Sequence, residues 1–138
     1  MSFGDASLPL QKAIVDALKA DAAVAALVGA RVYDVPPPAP EKPYISLGPF
    51  DALTEVAAEY EGSETTMQID GWAAGQGSVE IKQLGRAIRA ALHEKDFALE
   101  DNQRLVALVI DQLRYLREPD GITQHVAATA RARTEPAI

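Results

Sequence analysis

Along residues 104–134 apolar and polar positions alternate, break at Glu118-Pro119-Asp120-Gly121, and alternate again. A period of two belongs to β-strands. The break has the chemistry of a turn. Proline presets φ at the second position, aspartate tolerates the third, and glycine takes the left-handed conformation that closes the loop. The pattern predicts a long C-terminal hairpin with strands at 104–117 and 122–134. With Glu118 and Ile122 closing it, Leu108, Ile110, Gln112 and Arg114 lie opposite Ala132, Ala130, Ala128 and Val126. On the other face Asp111 lies across from Thr129 and diagonal to Arg131, in the company of Val109, Leu113, Ala127 and Tyr115. A sheet wetted on one side alternates more cleanly than this. Both faces are therefore expected to be covered, and a neighbouring subunit is the economical cover for the second.

Upstream the period changes. Leu10, Ile14 and Leu18 fall on one face of a helix over 8–19, with Ser7 as its N-cap and Pro9 in its first turn. Asp21 caps a short helical piece, "AAVAALV", which Gly29 ends. A short strand is expected at 31–34, and the proline-rich 35–43 reads as an extended crossing loop. "YISLG" (44–48) is a strand. Residues 51–64 hold five acids and no base and read as a projecting loop. In 65–73 Met67, Ile69 and Gly71 alternate with Thr66, Gln68, Asp70 and Trp72, which is strand behaviour. A helix over 78–93 carries the apolar stripe Ile81, Leu84, Ile88, Leu92 and, beside it, the stripe Lys82, Arg86, Arg89, His93. The segment after it is a connection with room for a small edge strand. These elements predict a single α+β domain: a largely antiparallel β-sheet of four to five strands packed with two main helices, ending in the long hairpin.

Composition narrows the chemistry. A chain of 138 residues fits one domain with a core of its own. The absence of cysteine removes disulfides, thiol catalysis and thiolate metal sites together. The longest apolar runs, 22–28 and 105–110, are too short to cross a bilayer, and the first residues lack the pattern of a signal peptide. The protein is expected to be soluble and made in a cytosol. Net charge is −7, unevenly spread: residues 1–81 carry 4 bases and 12 acids (−8), residues 82–138 carry 9 and 8 (+1). An acidic chain repels phosphate backbones, which disfavours tight nucleic-acid binding.

No catalytic set emerges. Gly75-Gln76-Gly77 precedes a helix, but a phosphate-binding fingerprint needs a third glycine nearer than Gly85 and a different strand setting. His93 and His125 stand on different elements, without the three convergent ligands of a metal site or a serine on a strand–helix elbow. The expectation is no enzyme activity, no cofactor and no metal. The acids Asp51, Glu55, Glu59, Glu61 and Glu64 lack the glycine and alternation of a calcium loop. They read as a solvated loop or as a docking arm for a basic partner. The basic stripe is a solvated helix face or that partner: copies of one chain could join head to tail, a heterologous contact that builds rings when its rotation closes.

The order and spacing of the pieces carry a resemblance. They are "LQKAIVDALKADAAVAALVGARVYDVPPPAPEKPYISLG", then "QIDGWAAGQGSVEIKQLGRAIRAALHE", then "LREPDGITQH". In this order they resemble the tail-completion, or tail-terminator, proteins of long-tailed bacteriophages, prophages and gene transfer agents. The acidic 51–64 segment has no counterpart in that pattern, and Glu118 stands where aspartate is expected. The resemblance implies a structural virion protein, made in the host bacterial cytoplasm and placed at the tail neck. It implies a homo-hexameric ring that stops tube polymerisation, meets the tail tube protein and a head-closure (stopper) protein, and lets DNA pass without membrane contact. Under this reading Lys82, Arg86, Arg89, Asp111, Arg131 and Arg133 are candidates for the subunit interface. Pro36, Pro37, Pro38, Asp51, Glu55, Glu59 and Glu61 are candidates for partner docking. Another neck protein (head-closure or adaptor) is the alternative within the class; a small cytosolic nucleotide- or ligand-binding domain using residues 75–78 is the alternative outside it.

Overall fold

The computed structural model describes residues 5–56 and 61–137, with side chains at all of them except 55, 56 and 61. In chain order the elements are α1 (Ser7–Ala20), α2 (Ala22–Val28), β1 (Val32–Tyr33), β2 (Tyr44–Val56), β3 (Glu61–Ala74), α3 (Val79–Leu92), β4 (Gln103–Arg117) and β5 (Thr123–Pro136). The strands form one five-stranded sheet in the order β1-β2-β3-β5-β4. β1 runs parallel to β2, and every other neighbouring pair is antiparallel. The expected α+β class and closing hairpin are both present.

The core lies between this sheet and the helices. α3 rests on β3, β5 and β4, while α1 and α2 pack against α3. The stripes Leu10, Ile14, Leu18 and Ile81, Leu84, Ile88, Leu92 are all buried, as their 3.6-residue spacing requires. Against them the sheet turns Met67, Ile69, Val126, Ala128, Ala130 and Ala132. The run of alanines on β5 thus has a use: short side chains let α3 lie close to the middle of the sheet. Gly71 of β3 serves the same seat. A Cβ there would lie 2.7 Å from Val126 Cγ1 and 2.8 Å from Leu84 Cδ2, inside van der Waals contact.

Three expectations need correction. The first concerns the cap of α1: Ala6 holds the N-cap position and Ser7 is already helical, its N–H and hydroxyl both donating to Asp5 Oδ1. Those bonds hold the Asp5 carboxyl below its ordinary range. Asp21 does cap α2, accepting from Val24 N–H at 3.0 Å. The second concerns the projecting loop expected at 51–64: its described residues are strand, and 57–60 lie outside the described residues. Residues 51–56 continue β2 and 61–64 begin β3, paired from Asp51↔Thr66 to Val56↔Glu61. Asp51, Ala52, Leu53 and Thr54 are all exposed, and the buried residues of the β3 half, Ser63 and Thr65, are polar, so hydrophobic patterning is blind to this arm.

The third correction is the hairpin register. Leu108↔Ala132 and Ile110↔Ala130 pair as expected, but irregularities at Leu105/Ala107 and Ile110/Gln112 shift the rest. Gln112 therefore meets Thr129, not Ala128, and Arg114 meets Ala127, not Val126. The extra residue, Asp111, reverses parity along β4. Leu113 and Tyr115 turn to the helix side and pack on the core. There Tyr115 presses on Gly85 of α3, where a Cβ would collide with its ring. Gln112 and Arg114 turn outward. The apolar load expected on two faces is one apolar face with a bulge in it.

Candidate functional site

Among the described residues no helix covers the other face of the sheet, and register shows what it presents, because cross-strand partners share a face. At the end near the hairpin turn lies an aromatic and acidic cluster. His125 Nε2 is 2.6 Å from Asp70 Oδ1, and its Nδ1 is 3.3 Å from Glu118 Oε1. The imidazole stacks on Trp72 with ring centres 4.0 Å apart and planes at 6°. Trp72 Nε1–H donates to Ser46 Oγ at 3.0 Å, and Gln68 Nε2 donates to Asp70 Oδ1 at 2.9 Å. Tyr44 stacks on the far side of Trp72 with centres 6.1 Å apart. Burial, then the charge of Asp70, push its hydroxyl above the ordinary tyrosine range. Ser46 is engaged by the indole rather than by a base, so the cluster has no activated nucleophile. Its polar groups bond to one another and brace β2, β3 and β5. Among the described residues no three His, Asp or Glu side chains converge as a metal site.

Toward the opposite end the face becomes charged. One row across the sheet is Asp51, Thr66, Arg131, Val109; the next is Leu53, Glu64, Arg133, Ala107. Arg131 Nη2 pairs with Asp111 Oδ2 at 2.8 Å. The Arg133 guanidinium lies against Gly62, where a Cβ would sit 2.7 Å from Nη2.

The family model described as Tail completion protein gp17 matches residues 12–135, nearly the whole chain. The chain belongs to the tail completion protein gp17 family. Among solved structures it is similar to a chain from the "Virion of native gene transfer agent (GTA) particle". The two share 32% identity at a TM-score of 0.87, over 95% of this chain and 98% of that one. No curated protein matches it. This protein is accordingly a structural protein of a phage-type tail.

The tail completion protein places its sequence-predicted residues in three groups. Asp51, Asp111, Arg131 and Arg133 meet on or at the border of the open sheet face. Lys82, Arg86 and Arg89 are exposed on α3, in the helix layer and away from that group. Their stripe runs beside β4: His93, which follows it, accepts from Ile110 N–H at 3.0 Å through Nδ1. Pro37 and Pro38 are exposed and Pro36 half-buried in the loop between β1 and β2. Arg31 anchors that loop, donating to Pro43 O at 2.9 Å and pairing with Glu41 at 2.8 Å. Glu55 and Glu61 lie in paired strands, and Glu59 lies outside the described residues. In the glycine loop before α3, Gly75 is tied to the base of β5: its N–H donates to Ile122 O and its carbonyl accepts from Gln124.

Sequence reasoning missed the Asp70–His125–Trp72 cluster. Its signal is the pairing Trp72↔His125, visible only once β3 is known to neighbour β5.

Proposed function

We propose that this tail completion protein is the tail terminator of a phage-like particle. Copies form a hexameric ring at the head-proximal end of the tail, stop polymerisation of the tube protein, and present the surface that the head-closure protein meets. DNA passes through the central hole. The observation that carries this reading is the similarity to a chain of the gene transfer agent virion, at 0.87 over 95% of the chain. The geometry suits it: among the described residues helices shield one sheet face only, and the open face is braced and charged rather than shaped around a small molecule. A net charge of −7 keeps passing DNA from sticking. Ring subunits meet through the basic stripe Lys82, Arg86, Arg89 and a neighbour's acidic arm. The proline loop and the acidic segment 51–64 dock tube and head-closure proteins. The protein is made in the host bacterial cytoplasm and ends in the virion neck.

The test is particle assembly without the gene for this chain. Tails of uncontrolled length that fail to join heads are expected, with rescue on adding the protein back. Tails of normal length joined to heads reject the reading, and a label found anywhere but the head-proximal tube end assigns the chain to another neck position.

A further inference from the structure

Both long edges of the sheet are half covered by the chain itself, at opposite ends. On β4 the half far from the hairpin turn is occupied. Ala98 bridges Arg104, Glu94 N–H donates to Leu108 O at 2.8 Å, and Ile110 N–H donates to His93 Nδ1 at 3.0 Å. From residue 111 to 117 that edge has no backbone partner among the described residues. On β2 the situation is reversed. β1 covers Ile45 and Ser46, and from Pro49 to Thr54 the outer edge has no backbone partner among the described residues. Unpaired strand edges are templates for another strand.

The two free halves differ in charge. Beside β4 stand Arg114 and Arg117 on the strand and Arg86 and Arg89 on α3, none of them in an ion pair among the described residues. The β2–β3 arm carries acids and no base.

We infer that the free half of β4 in one copy pairs antiparallel with the free half of β2 in the next, so that one sheet runs on from subunit to subunit. This rests on the ring reading above and specifies its contact. Direction follows from topology. β2 and β5 run one way, β3 and β4 the other. A rotation about an axis roughly along the strands therefore brings β4 antiparallel to the neighbour's β2.

Register follows from faces. Cross-strand partners must share a face, and past the bulge Arg114 and Gln112 point to the open side while Leu113 and Tyr115 point to the helix side. On β2, Asp51 and Leu53 share the open side, being opposite Thr66 and Glu64; Phe50 packs on the core side with Ala52. Setting Arg114 against Asp51 satisfies both faces and the charge. It places Leu113 against Ala52, Tyr115 against Phe50, and Gln112 against the exposed Leu53.

That register also closes. Within one sheet Arg114 is level with Asp70 of β3, and Asp51 is level with Thr66, four residues along. Four residues are about 13 Å along a strand, and the repeating four strands β2, β3, β5 and β4 are about 19 Å wide. A shift of about 13 Å over 19 Å is absorbed without a helical rise when strands tilt by about 35° to the ring axis, the range in which closed sheets lie.

The absence of cysteine makes the test direct. The variant Arg114→Cys with Asp51→Cys, and separately Leu113→Cys with Ala52→Cys, are oxidised in assembled particles. Within one chain these positions lie on strands separated by two others, so no intrachain disulfide can form. A ladder of covalent oligomers is expected from both pairs and from neither single-cysteine variant. In the unaltered chain, hydrogen exchange at 111–117 and 49–54 is expected to slow at least about tenfold between free protein and particle. Rings seen by electron microscopy with neither crosslinks nor protection overturn the edge pairing and leave the ring reading standing. Particles with no ring of this protein overturn both.

Discussion

Replacing Gly71 with alanine tests whether the seat of α3 on the sheet is as tight as it looks. The added methyl would lie 2.7 Å from Val126 Cγ1 and 2.8 Å from Leu84 Cδ2, with Leu84 Cγ at 3.2 Å. Carbon atoms at rest stay about 3.5–4.0 Å apart, so the overlap is roughly an ångström on two sides. Leu84 and Val126 are both fully buried, which leaves them nowhere to withdraw. Overpacking of this kind costs about 1–3 kcal/mol. Removing a glycine from the unfolded chain returns about 0.4–1 kcal/mol. The net expectation is a loss of about 1–2 kcal/mol, measured by urea unfolding followed through the fluorescence of Trp72, the single tryptophan. Leu84→Ala alone should cost about 2–5 kcal/mol through the cavity it leaves. In the double variant the new methyl enters that cavity, so the combined loss should fall short of the sum by more than the roughly 0.5 kcal/mol expected of independent sites. A Gly71→Ala protein as stable as the parent, or strict additivity in the double variant, refutes the close contact between sheet and helix.

Other outcomes follow from single contacts. The Asp120 carboxylate accepts from Ile122 N–H, Thr123 N–H and the Thr123 hydroxyl, and these bonds, the hydroxyl first, hold its pKa below the ordinary 3.8. A depressed carboxyl stabilises the fold above its unfolded value and loses that contribution as pH falls through the folded one. The melting-temperature gap between parent and Asp120→Ala should therefore be full near neutrality and close below about pH 4; a constant gap rejects the turn contact. Asp70→Ala removes the partner of both His125 and Gln68 on a buried site and should cost about 1–3 kcal/mol by calorimetry. A neutral result would mean the cluster braces nothing. Arg86→Glu with Arg89→Glu should leave melting within about 0.5 kcal/mol of the parent, since both are exposed. It should weaken ring assembly by light scattering, most of all at low salt; unchanged hexamers reject the stripe as an interface.

Much of this fold was legible because burial leaves a period. The stripes of α1 and α3 could be read directly, as could the inner face of β3 with Met67 and Ile69. Residues 107–110 of the hairpin kept their expected partners, and next to them Asp111 came within reach of Arg131. What escaped has no residue-type signature. The bulge at Asp111 is a backbone event, and a single inserted residue moved Leu113 and Tyr115 from one face to the other. The arm of β2 and β3 is held by ladder bonds while residues 51–54 are exposed and the buried positions opposite them, Ser63 and Thr65, are polar, so its strands show neither apolar alternation nor an apolar run. The His125 cluster depends on β3 lying next to β5 across the intervening α3 and β4, a fact of topology rather than of local pattern.

The half-covered edges bear on why an exposed sheet of this kind need not aggregate. A free edge can join a like edge or an unlike one. Joining β4 to β4 across a two-fold axis would bring Arg114 and Arg117 near their own copies, with Arg86 and Arg89 beside them. Joining β2 to β2 would crowd acidic arms together. Like charges directly opposite on a sheet are unfavourable, so the charge pattern selects against closed two-fold dimers and in favour of β4 meeting β2. Unlike joining propagates, and whether it ends in a ring or a fibre depends on the shift per step. In the proposed pairing β1 and the segment 93–98 would set that shift, because they cover the other half of each edge. If β4 meets β2 as proposed, short covering pieces with no chemistry of their own do for assembly what catalytic groups do for an enzyme: they fix the geometry of the contact between copies.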